Sequence, residues 1–70
     1  MKKIIVGGST GTIGRQTLQI IEDNPKDFQV EGLIAHSNLS ALEIQMKKFS
    51  PRWVIFGKKL LNLPENTVQI

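Results

Sequence analysis

Between Ile4 and Gly14 the chain reads IIVGGSTGTIG, and no other segment constrains the fold as much. An apolar run ends in glycine, Gly8, Gly11 and Gly14 recur at intervals of three, and RQTLQIIED continues as an amphipathic helix. A buried strand, a glycine turn and a helix start together make a cradle for phosphate. The turn must be tight, and a pyrophosphate has to approach the backbone with no Cβ in its way. The helix N-terminus then offers unpaired N–H groups and a partial positive charge to the anion. The same glycines would also suit a turn that merely packs closely on a helix. Their place between a strand and a helix favours phosphate binding. Ser9, Thr10 and Thr12 add hydroxyls where phosphate oxygens would lie, or alternatively cap the helix.

The rest of the chain repeats the alternation of strand and helix. Lys3 to Val6 is a short β-branched run and reads as a strand. A helix opening at Thr12 or Ile13 places Ile13, Thr17, Leu18, Ile20 and Ile21 on or near one face. Asn24-Pro25 stops it, because a residue before proline avoids the helical region. Phe28 to Ala35 reads as a second strand, alternating at Phe28, Val30 and Gly32 and then wholly apolar from Leu33. The serines and asparagine of His36 to Ser40 offer caps for a second helix, whose Leu39, Leu42, Met46 and Phe49 form one apolar stripe ended by Ser50-Pro51. Trp53 to Phe56 is the third strand, bounded by Gly57. Lys59 to Leu61 suits one helical turn before Pro64, and Thr67 to Ile70 is β-prone.

This β-α-β-α-β pattern with short connections implies an α/β fold: a Rossmann-like half-domain with a parallel sheet in the spatial order 3-2-1. Right-handed crossovers put both helices on one face, while the apolar strands ask for burial on two. The 70 residues are therefore expected to be the N-terminal piece of a larger doubly wound domain.

The end of the second strand selects the dinucleotide. An NAD site places Asp or Glu there, about twenty residues past the glycines, to hold the ribose hydroxyls. Here the position holds Ala35-His36-Ser37-Asn38, with no carboxylate, and Glu31 comes too early, near the strand start. Nothing there repels a 2′-phosphate. Ser37 and Asn38 can donate to it, and so can His36, more strongly if protonated. A histidine that only touches solvent is the other reading of His36. The strand end favours NADP.

Charge and composition exclude other classes. The net charge of +3 is mild, and the pairs Lys2–Lys3, Lys47–Lys48 and Lys58–Lys59 do not alternate with aromatics as a nucleic-acid surface would. The chain has no cysteine, so no disulfide or thiolate metal site staples it. No apolar run is long enough to span a membrane, and the start MKKIIVGG is too short and too glycine-rich for a signal peptide. The expected location is the cytoplasm.

Three blocks, GSTGTIGRQTL, NPKDFQVEGLIAHSN and FSPRWV, taken with their spacing, resemble the N-terminus of the 1-deoxy-D-xylulose 5-phosphate reductoisomerase family. The resemblance runs from Lys2 to about Val54. It implies that NADPH is bound by Thr10, Gly11, Thr12 and Ile13 in the loop and by His36, Ser37 and Asn38 after the second strand. Gly7 stands where the family usually has leucine, and Thr12, which keeps the hydroxyl, where it has serine. His36-Ser37 stands where a glycine and a basic residue are common, so one positive charge is missing.

The resemblance further implies isomerisation and NADPH-dependent reduction of 1-deoxy-D-xylulose 5-phosphate to 2-C-methyl-D-erythritol 4-phosphate, on the non-mevalonate route to isoprenoids. It also implies a homodimer at full length and a divalent Mg, Mn or Co ion held by Asp and Glu. Those ligands and the substrate groups are expected beyond position 70, and no catalytic or metal residue is assigned within it. Two alternatives stand beside this reading. One is a fragment of an extended short-chain dehydrogenase, whose Tyr-x-x-x-Lys pair is missing from a chain without tyrosine. The other is a stand-alone nucleotide-binding module.

Overall fold

Three β-prone runs and two amphipathic stretches form their elements close to the expected bounds in the computed structural model, which describes residues 1–61. Strand β1 (Lys2–Gly7) leads to helix α1 (Thr12–Asp23), strand β2 (Phe28–Ala35), helix α2 (Leu39–Phe49), strand β3 (Trp53–Phe56) and a short strand β4 (Lys59–Leu60). The β-prone segment Thr67 to Ile70 lies outside the described residues.

The four strands form one sheet in the order β1-β2-β3-β4. β1 pairs parallel with β2, and β2 parallel with β3. β4 runs antiparallel to β3, which corrects two expectations: the sheet is not wholly parallel, and Lys59 to Leu61 is not a helical turn. Gly57 supplies the reason. It sits at φ +65° as the first residue of the two-residue loop Gly57-Lys58, the arrangement that hairpins favour, and it reverses the chain at once. Ile55 then faces Leu60, and Phe56 faces Lys59.

The register of β2 explains its broken alternation. Ile4 pairs with Val30 but Ile5 with Gly32, so Glu31 is the extra residue of a bulge. Glu31 thus lies in mid-strand, not near the strand start, and its carbonyl accepts the Arg52 N–H at 2.9 Å. The bulge turns Val30 and Leu33 to the same face although three positions separate them. That face meets both helices. Val6, Val30, Leu33, Ala35 and Val54 form one core with Leu18 and Ile21 of α1 and Leu42 of α2.

Helix α1 is rotated from the face expected of it. Gly14, Leu18 and Ile21 are buried, whereas Ile13 and Ile20 are 77% and 57% exposed. Gly14 sets this rotation, because a Cβ there would lie 2.7 Å from Ser9 Cα and closer still to the Gly8 carbonyl oxygen. Only glycine lets the helix approach the loop so nearly. Asn24 ends α1 as expected, its amide Nδ2 donating to Ile20 O at 2.8 Å. In α2 the apolar stripe buries Leu42 and half-buries Met46 and Phe49, while Leu39 at the helix start is exposed. A surface ion pair, Lys48 Nζ to Glu22 Oε2 at 2.9 Å, joins the two helices.

The opposite face of the sheet carries two rows in register, Ile5–Gly32–Trp53 and Gly7–Ile34–Ile55–Leu60. The Trp53 indole covers Gly32 so closely that a Cβ there would collide with the ring. No helix among the described residues covers these rows, and Ile5 is 56% exposed.

Candidate functional site

The glycine loop begins where β1 ends. Gly8 adopts φ +62°, a region that disfavours any side chain, and turns the chain out of the sheet. Gly11 N–H donates to Gly8 O at 3.0 Å and closes the turn, and Arg15 N–H donates to Gly11 O at 2.9 Å as α1 begins. Gly11 is the N-cap of α1 and has no side chain to bond the first helical amides. The amides that open the helix are thus left to an outside acceptor, the condition for anion binding at a helix start.

Two hydrogen bonds bring the loop to the end of β2. Ser9 N–H donates to Ile34 O at 3.0 Å, and Thr10 Oγ1 donates to Ser37 O at 3.0 Å. The two candidate groups, Thr10 to Ile13 and His36 to Asn38, are thereby neighbours at the C-terminal ends of adjacent parallel strands. That is where open α/β sheets bind ligands. Gly11, Thr12 and Ile13 are exposed, as are His36, Ser37 and Asn38, while Thr10 is half-buried.

The structure sorts the hydroxyls that composition left equivalent. Ser9 is fully buried and does not face an incoming phosphate. The Thr10 hydroxyl is engaged by Ser37. Thr12, the first residue of α1, is exposed. Asn38 has a double role: at φ 62° it is the N-cap of α2, its Oδ1 accepting the Ala41 N–H at 3.2 Å. Its Nδ2 is the group that remains for a ligand.

Sequence reasoning missed Gln45. Its Nε2 donates to Ser9 O at 2.8 Å, so α2 reaches over to grip the loop. A signal was present: Gln45 falls between Leu42 and Phe49 inside an otherwise apolar stripe. A cleft of about 370 Å³ lined by Ile21, Pro25, Phe28 and Phe49 lies at the opposite end of the strands and does not meet the loop. Among the described residues no three His, Asp or Glu side chains are placed to share a metal ion, and no helix is long and apolar enough to cross a membrane.

Comparison with known proteins shows the family. The family model described as 1-deoxy-D-xylulose 5-phosphate reductoisomerase matches residues 4–66. The proteins of that name from Thermodesulfovibrio yellowstonii and Microcystis aeruginosa are 47% and 50% identical over 60 and 59 residues, each covering 84% of this chain. The one from Synechococcus sp. is 45% identical over 65 residues, or 93% of it. The chain spans only 15–16% of the length of these curated relatives. By the extent of the match, the chain belongs to the 1-deoxy-D-xylulose 5-phosphate reductoisomerase family.

Proposed function

We propose that this chain is the NADPH-binding N-terminal segment of a 1-deoxy-D-xylulose 5-phosphate reductoisomerase. In this reading its βαβαβ unit, with parallel strands in the order 3-2-1, is half of a larger doubly wound domain. One observation carries the proposal: an uncapped helix start and the carboxylate-free end of β2 are tied side by side through Thr10 and Ser37. The pyrophosphate takes the amides of Thr12 and Ile13 at the opening of α1, where Gly11 lets it approach the backbone. The adenosine 2′-phosphate takes donors from His36, Ser37 and the Asn38 Nδ2. Thr10 holds the two halves together.

NADPH supplies the hydride for the reduction that follows isomerisation of the sugar phosphate. The divalent ion belongs to carboxylates outside these 70 residues, as do the groups that hold the substrate. We assign the full-length protein to the cytoplasm, as a homodimer.

The test is turnover. The protein carrying this segment is expected to consume NADPH when given 1-deoxy-D-xylulose 5-phosphate and a divalent cation, and the 70-residue chain alone is expected not to. A half-site neither positions the substrate nor polarises it. Failure of the larger protein to turn over, or metal-dependent turnover by the chain alone, would refute the assignment.

A further inference from the structure

The junction between α2 and the glycine loop leaves two polar atoms buried without a partner, Ser9 Oγ and Gln45 Oε1. Buried polar groups of this kind are rare and call for an explanation. Both belong to residues already joined, since Gln45 Nε2 donates to Ser9 O at 2.8 Å. Ser9 is fully enclosed. A hydroxyl and an amide oxygen are a complementary donor and acceptor, so the junction carries the groups for a second bond.

We infer that Ser9 and Gln45 form a clamp that positions the glycine loop. One hydrogen bond, from Gln45 Nε2 to Ser9 O, holds the loop, and a second, from the Ser9 hydroxyl to Gln45 Oε1, forms when a dinucleotide pyrophosphate draws the loop onto the start of α1. The inference rests on the nucleotide-binding reading above and adds to it a residue on α2 that touches no ligand. The placement gives the clamp reach. Ser9 lies one residue after the left-handed Gly8, and its Cα is the surface on which Gly14 rests. Any shift at Ser9 therefore moves the amides of Gly11 to Ile13. The helix that carries Gln45 is capped by Asn38, so the same element links the loop to the 2′-phosphate position. Gln45 acts on the pyrophosphate cradle, which NADH and NADPH share, and not on the group that distinguishes them.

Two variants test this. Gln45→Met keeps the volume and helix propensity but loses the donor and the acceptor. It is expected to weaken NADPH and NADH by the same factor, about tenfold, leaving their ratio unchanged. Without nucleotide it is expected to speed hydrogen exchange at the Ser9 and Gly11 amides while those of Val6 and Leu33 keep their protection. Ser9→Ala removes a buried hydroxyl that has no partner in the structure. Its melting temperature is expected to hold or rise, yet both nucleotides are expected to bind more weakly.

A Gln45 of purely structural importance would instead speed exchange everywhere and leave affinity intact, and that result overturns the clamp. So does a Ser9→Ala variant with unaltered affinity, or a change in the NADPH to NADH ratio in either variant. If the unsubstituted chain binds neither nucleotide while Gln45→Met still loosens the loop amides, the nucleotide reading fails and the clamp stands as a contact without that role.

Discussion

Gly14→Ala is the substitution that most sharply separates this site from an ordinary helix start. On helix propensity alone it should help, since alanine is favoured over glycine in a helix interior by about 0.8–1.0 kcal/mol. The structure opposes that gain. A Cβ at Gly14 would lie 2.7 Å from Ser9 Cα and 2.8 Å from the Gly8 carbonyl carbon, where ordinary contact starts at 3.4 Å. Every opposing atom is backbone, so no flexible side chain can swing away. Overpacking of this kind costs about 1–3 kcal/mol, and rigid neighbours put it toward the upper part of the range. A net loss of about 1–2 kcal/mol is expected. The loop must also retreat from α1, spreading the amides of Gly11 to Ile13. Losing one charge-assisted bond to phosphate costs about 1.5–3 kcal/mol, which is at least about tenfold in Kd. Urea unfolding and calorimetric titration with NADPH measure the two effects on one sample. A variant that is stabilised by about 1 kcal/mol, as propensity alone would have it, and that binds NADPH unchanged would refute the close packing of loop on helix.

Three further outcomes follow from the same geometry. Gly11→Ala adds a Cβ that comes no nearer than 3.4 Å to the Gly8 oxygen, so the fold should keep its stability while nucleotide binding falls, as parallel melting and titration would show. Asn38 caps α2 from a left-handed conformation, so Asn38→Ala should cost about 0.5–2 kcal/mol in denaturant unfolding and Asn38→Gly only a few tenths; equal losses would contradict the cap. The rows around Ile5, Ile34, Ile55 and Leu60, which no helix among the described residues covers, should make the isolated chain associate with concentration in sedimentation. Ile5→Lys should reduce that association without loss of stability, and a clean monomer before and after substitution would count against it.

Local chemistry explains which features could be read in advance. β-branched runs and proline stops located β1, α1, β2, α2 and β3, because each is decided within a few residues. The strand–glycine–helix order likewise announced the tight turn and the helix that opens after it. What escaped was decided by contacts between distant elements. The bulge at Glu31 depends on how β1 and β2 align, which no period in β2 alone reveals. The exposure of Ile13 and Ile20 follows from Gly14 turning α1 toward the loop. Ser9 looked like a phosphate ligand beside Thr10, yet it is sealed beneath Gly14 and Gln45. The β3–β4 hairpin did have a local cue in Gly57, but the following Lys-Lys-Leu-Leu carries a stronger helical propensity than its tertiary setting permits.

The proposed site joins the end of β2 to the glycine loop, to bind NADPH in preference to NADH. Calorimetric titration of the protein carrying this segment with both cofactors, before and after Ser37→Asp, tests it most directly. NADPH is expected to bind at least about tenfold more tightly, the yield of a single charge-assisted bond to the 2′-phosphate, and the aspartate is expected to reverse the order by repulsion. Equal affinity for the two cofactors, unmoved by Ser37→Asp, would contradict it.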